Sequence, residues 1–293
     1  MNVSYGEDSR YIVFAYKRTT QNLLRLLYVC KFYGINHKLI YRNLKKWVFN
    51  NYTDIQIINC LKKMVNKPKH TEITRDRGNT RVNDITELFT NSVDLYGKHI
   101  LPCFTKYLDI GAGDCVITKS LAQFFGIKKG YTYAIDIESW SNKSNEEYGK
   151  DSQINYIYID PPVDEKSEFN HTLDENTFDI ITIFQTLHHM KNFINVIKDV
   201  YRLLKPGGIV IIREHDARSN PVRALCHIEH LIYGIFADKM CSNEFYKEYY
   251  GHYYSKREMI NVFENHGFTT LSEKSKNNPT LYYYQVFKKM NTT

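Results

Sequence analysis

Apolar residues in the first quarter of the chain recur at helical spacing. Leu23, Leu24, Leu27 and Val29 lead into Phe32, while Leu39, Ile40, Leu44 and Val48 form a second stripe. Ile55, Ile57, Ile58, Leu61 and Met64 form a third. Polar breaks at Gly34-Ile35-Asn36 and Asn50-Asn51-Tyr52-Thr53 separate the stripes, and Thr53 or Asp54 can cap the third helix. Lys67 to Val82 is polar, charged and aperiodic and reads as a linker. Ile85 to Ile100 predicts a further helix, stopped before Pro102.

Beyond that point short apolar runs alternate with helical patterns. Strands are predicted at Lys106–Ile110, Tyr131–Ile135, Ile154–Ile159, Phe178–Phe184 and Ile209–Arg213. Helices are predicted at Ile117–Phe125 and Phe193–Leu204, the second ending at Lys205-Pro206-Gly207-Gly208. Residues 217–250 are too long for a plain connection and read as an inserted helical cap. Ser255 to Glu258 has the form of a capping box opening a helix to His266, with Gly267 after it. Two last strands follow near Phe268–Leu271 and Tyr282–Phe287. The fold class expected is α/β: a doubly wound, mainly parallel seven-stranded sheet with right-handed crossovers. A helical accessory module with its linker occupies 1–84, and the sheet domain occupies 85–293, with the helical insertion after the fifth strand.

Composition narrows this picture in two ways. With 43% apolar and 24% charged residues the chain is ordinary for a folded globular protein, which argues against wholesale disorder. Six scattered cysteines without a C-x-x-C pair, no secretory leader and no bilayer-length apolar run lead to the expectation of a soluble, cytoplasmic protein. The net charge of +7 is unevenly placed. Residues 1–100 carry 17 Lys+Arg against 8 Asp+Glu, so all of the excess positive charge lies in the first third. This is either the footprint of a polyanion or a solvated basic face.

The chemistry concentrates at Asp109-Ile110-Gly111-Ala112-Gly113-Asp114-Cys115, where a strand turns into a helix. Its glycines permit a tight turn and close approach of a ligand to backbone N–H groups. Dinucleotide enzymes use such turns too, but Val116 stands where their fingerprint needs a third glycine. Asp109 would repel a pyrophosphate and suits a ligand bearing ammonium and sulfonium charges. A nicotinamide-dependent oxidoreductase is therefore disfavoured. Asp136, at the end of the second strand, stands where an acid accepts ribose hydroxyls.

Asp109-x-Gly111-x-Gly113, Asp136, Phe178-Asp179 opening the fourth strand and Leu204 to Gly208 before the fifth resemble the ordered motifs of class I S-adenosylmethionine-dependent methyltransferases over about residues 86–288. One departure is Cys115, where many members carry a third glycine. The resemblance implies that Asp109, Gly111 and Gly113 contact the methionine portion of S-adenosylmethionine. It also implies that Asp136 holds the ribose, Ile137 packs near the adenine and Asp160 accepts from its amino group. Gln185 would lie beside the sulfonium and the incoming substrate.

His188 and His189, just after the fourth strand, are candidate general bases. Glu214 and His215, after the fifth, are the candidates for touching substrate. Asp160-Pro161-Pro162 resembles the start of an amino-group DNA methyltransferase motif, but Val163 replaces its aromatic and a good strand still follows. The Lys-Asp-Lys-Glu tetrad of ribose 2′-O enzymes is absent, since Gln185 stands in place of its Asp. No metal site is expected: Cys226, His230 and Cys241 match none of the paired zinc spacings. The expected function is methyl transfer to an O or N acceptor, with RNA or another anionic molecule favoured by the basic N-terminal module. A small-molecule methyltransferase and a non-catalytic, methyltransferase-like stimulatory subunit are the alternatives.

Overall fold

The computed structural model describes residues 36–50, 52–64, 77–90, 103–136, 154–159, 173–237, 251–276 and 282–290. In chain order its elements are α1 (His37–Phe49), α2 (Asp54–Met64), α3 (Arg77–Thr90), β1 (Tyr107–Ile110), α4 (Val116–Phe124), β2 (Thr132–Asp136), β3 (Ile154–Tyr158) and β4 (Phe178–Phe184). A 3-10 turn (Leu187–His189), α5 (Phe193–Leu203), β5 (Leu204–His215), α6 (Asn220–Ala237), α7 (Lys256–Glu264), β6 (Phe268–Lys276) and β7 (Tyr282–Lys289) complete it. By contact density the chain divides into two units. The larger comprises 74–214, 256–275 and 283–293, and the smaller 1–73, 215–255 and 276–282.

In the smaller unit, α1 and α2 pack together, burying Ile40, Leu44 and Trp47 from one and Ile57 and Leu61 from the other. Thr53 and Gln56 cap α2 reciprocally: Thr53 Oγ1 accepts from the Gln56 amide, and Gln56 Oε1 accepts from the Thr53 amide at 2.8 Å. The start of α6 buries Val222 and Cys226 with Ala217 and Tyr253. The aromatic-rich stretch from 238 to 250 lies outside the described residues.

The larger unit is built on a seven-stranded sheet of order β3-β2-β1-β4-β5-β7-β6, and the pairings β3-β2, β2-β1, β1-β4 and β4-β5 are parallel. This is the expected α/β architecture. Strands covered on both faces read as largely apolar runs, and Phe178–Phe184, broken only by Asp179 and Thr182, has the bounds expected. The chain runs outwards from β1 to β3 and returns to β4 on the other side of β1. That reversal makes the carboxyl ends of β1 and β4 the switch point of the sheet, the position where such sheets bind ligands.

Two expected boundaries move. The stretch assigned to a linker contains the first turns of α3 (Arg77–Thr90), and the part of the expected Ile85–Ile100 helix beyond Thr90 lies outside the described residues. The first turns of α3 approach α4 closely at a glycine, which leaves no apolar mark in the sequence: a Cβ at Gly78 would lie 2.0 Å from Ser120 Oγ. The fifth strand begins at Leu204 rather than Ile209. Leu204 pairs with Phe178 and Ile209 with Ile180, so Lys205 to Gly208 bulges out between two paired points. A local Pro-Gly-Gly turn therefore sits inside a strand. No helix among the described residues is long and apolar enough to cross a membrane.

Candidate functional site

The loop after β1 is held by its neighbour strand. The amides of Gly111 and Ala112 both donate to the carbonyl of Ile135, at 2.8 and 3.2 Å. The amide of Gly113 donates to Asp136 Oδ2 at 2.6 Å. Gly111, Gly113 and Cys115 all have positive φ, at 76°, 53° and 60°, so three of five consecutive residues use the left-handed region that favours glycine. The two glycines serve different needs. A Cβ on Gly111 would lie 2.2 to 2.8 Å from side-chain atoms of Thr186, whereas a Cβ on Gly113 would meet no described atom within 4 Å. Gly111 thus allows two loops to touch, and Gly113 has no such neighbour among the described residues. Cys115 is buried, and burial pushes its thiol up to about 12, so it stays protonated.

Asp109 lies behind this loop. It is 3% exposed, opposite Thr182 in the β1-β4 register. Its Oδ2 accepts from the Thr118 hydroxyl at 2.5 Å and its Oδ1 from the Thr182 hydroxyl at 2.6 Å. Tyr107 Oη stands 2.7 Å from Thr182 Oγ1 and completes the relay. Both carboxylate oxygens are thereby engaged by hydroxyls that tie β1 to α4 and β4. Sequence reasoning missed Thr118, Thr182 and Tyr107, because nothing local marks a hydroxyl as the partner of a buried acid.

Burial pushes the Asp109 carboxyl up to about 6, while the hydroxyls of Thr118 and Thr182 pull it the other way. The folded state therefore holds this proton more tightly than the unfolded chain does, and folding loses stability as pH rises from about 4 to about 6. Two pH units correspond to roughly 3 kcal/mol. Asp109→Asn, which cannot ionise, is expected to escape this loss. Its melting temperature should gain on the parent's between pH 4 and 6 and run parallel above; parallel curves throughout would contradict the assignment.

Gln185, directly after β4, has φ 55°, and its amide donates to the Arg213 carbonyl at 2.7 Å. Its Nε2 is buried and, among the described residues, lacks a hydrogen-bond partner. Glu214 braces the following turn from the end of β5. Oε1 accepts from the amides of Thr186 and Leu187 at 3.1 and 2.9 Å, and Oε2 lies 2.6 Å from His188 Nδ1. Burial pushes the Glu214 carboxyl up to about 7, against the lowering influence of His189, the two amides and Arg213. His188 is buried beside it, whereas His189 is exposed, with its ring 4.1 Å from that of His188.

Of the four residues nominated for chemistry, His188, His189 and Glu214 thus meet in one turn of the larger unit. His215 belongs to the smaller unit, where its ring packs on His230 and Tyr253 at 5.3 and 5.6 Å. Of the nominated ligand contacts, Asp109, Gly111, Gly113, Asp136 and Gln185 gather at the carboxyl ends of β1, β2 and β4, and Ile137 and Asp160 lie outside the described residues. One further contact was not anticipated: Arg77 of α3 pairs with Asp114 in the glycine loop.

Residues 75–273 match a family described as a methyltransferase domain. A demethylmenaquinone methyltransferase from Anoxybacillus flavithermus is 30% identical over 110 residues, covering 38% of this chain and 44% of that protein. A ubiquinone/menaquinone biosynthesis C-methyltransferase from Hydrogenovibrio crunogenus is 31% identical over 120 residues, covering 40% and 44%. The chain spans about half the length of the curated relatives it matches. A solved structure from Pyrococcus horikoshii superposes with a TM-score of 0.49 at 19% identity, covering 76% of this chain and 95% of that one.

Proposed function

The chain belongs to the methyltransferase-domain family, and from that premise we propose that it transfers a methyl group from S-adenosylmethionine to a small aromatic acceptor. The pairing of Gly113 with Asp136 carries this reading: a backbone amide locked to a half-buried acid, with no described atom within 4 Å of where a Cβ on the glycine would stand. The residues present fit the cofactor. Asp136 would accept from the ribose hydroxyls, Gly113 would let the methionine portion approach the backbone, and Gly111 would set the loop against Thr186. Asp109 would act from behind, by holding the loop through Thr118 and Thr182. The Nε2 of Gln185, without a partner among the described residues, would donate to an acceptor or cofactor oxygen at the same sheet edge.

S-adenosylmethionine supplies an electrophilic methyl group on a sulfonium. What this chain adds is position and exclusion of water, the main requirements of an in-line displacement. An acceptor carrying a phenolic hydroxyl must also lose a proton. His189, the exposed member of the turn, is the proposed base, and His188, buried against Glu214, would steady it.

The acceptor class rests on the relatives' names, which belong to quinone biosynthesis and include carbon methylation. They support a quinol-like small molecule in preference to the RNA suggested by the basic N-terminal stretch, and they extend the expected O or N acceptor to carbon. Transfer of tritiated methyl groups to a panel of reduced quinones, catechols and transcribed RNA tests this. Label is expected in a quinol or catechol; label in RNA alone would overturn the acceptor assignment.

A further inference from the structure

We infer that Glu214 is a positioning residue for the glycine loop, acting through the turn after β4 and never touching the cofactor itself. The inference rests on the cofactor site proposed above. Its basis is a continuous set of contacts. One carboxylate holds three consecutive residues: the amides of Thr186 and Leu187 on Oε1, and the ring of His188 on Oε2. Thr186 is in turn the residue seated on Gly111, where even a Cβ would collide with its side chain. Its hydroxyl is further fixed by donating to the Phe184 carbonyl at 3.0 Å. The end of β5 thereby sets the turn, the turn sets Thr186, and Thr186 sets the height of the loop that carries Gly113 and its bond to Asp136.

The arrangement does not suit a general base. Glu214 is 2% exposed, and both its oxygens are already engaged by the protein. Nor is it an economical way to build a stable core, because a buried carboxylate carries a desolvation penalty that apolar packing does not. The left-handed backbone at Gln185, which opens the turn, adds strain that the Glu214 contacts must hold in place.

The test measures cofactor affinity apart from stability. Calorimetric titration with S-adenosylhomocysteine is run on the full chain, on Glu214→Ala, on Glu214→Gln and on Thr186→Ala, each checked for folding by near-ultraviolet dichroism. Glu214→Ala should bind at least about tenfold more weakly, the equivalent of about one buried hydrogen bond, because Thr186 is no longer held against Gly111. Glu214→Gln keeps a carbonyl oxygen for the two amides and should restore most of that affinity. Thr186→Ala leaves every Glu214 contact in place but removes the side chain from Gly111, and should bind several-fold more weakly. A merely structural role would lower melting temperatures and leave the dissociation constants unchanged. Parent-like affinity in folded Glu214→Ala, or in Thr186→Ala should Glu214→Ala fail to fold, would overturn the inference. Failure of the parent to bind would instead strike the cofactor site itself.

Discussion

Gly111→Ala is expected to lose measurable binding of S-adenosylmethionine, and Gly113→Ala to lose it by a different route. At Gly111 the added Cβ would sit 2.2 Å from Thr186 Oγ1 and 2.8 Å from Thr186 Cβ, at a φ of 76°. Left-handed backbone costs a residue with a Cβ roughly 1–2 kcal/mol. Overpacking of a fixed neighbour adds about 1–3 kcal/mol. Thr186 cannot yield freely, since Glu214 holds its amide and Phe184 its hydroxyl. The melting temperature and the cofactor affinity should therefore fall together, the affinity by about a hundredfold or more. At Gly113 the backbone strain is similar, but the new methyl meets no described atom. Its stability loss should be limited to that strain, while the methyl occupies the space proposed for the ligand. Calorimetry and thermal melts on the two variants separate these cases, and equal stability losses would contradict the distinction.

Asp136→Ala is the second large effect. This side chain anchors the Gly113 amide at 2.6 Å and is proposed to accept from the cofactor's ribose. Removing it costs two functions at once. It leaves a donor in the loop without its acceptor, and it takes away a charged hydrogen-bond partner from the ligand. Each such loss is worth about 1.5–3 kcal/mol, so affinity should fall roughly a hundredfold or more. Asp136→Asn retains an oxygen for the Gly113 amide and should fall between the parent and Ala. If both variants bind as the parent does, the ribose assignment is wrong.

The parallel sheet was readable because its inner strands are short apolar runs between turn residues, and Phe178–Phe184 matches its run throughout. The first turns of α3 were not, because there the close contact with α4 falls on Gly78, which leaves no apolar mark in the sequence. At the site, the glycine loop and Asp136 could be placed from their spacing, since a strand-turn-helix fixes what lies at its ends. The use of Asp109 could not. Its partners Thr118 and Thr182 stand 9 and 73 residues away, and only the β1-β4 register makes the second one adjacent. Glu214 was picked out as an ionisable residue at the right sheet edge. Its work on a turn 26 to 28 residues earlier in the chain follows from β4 and β5 being neighbours.

The most direct measurement is calorimetric titration of the intact chain with S-adenosylmethionine and with S-adenosylhomocysteine. Saturable binding of both at a single site, weakened in Asp136→Ala, is the predicted result. A folded parent that takes up neither would contradict the cofactor site and the methyl transfer proposed from it.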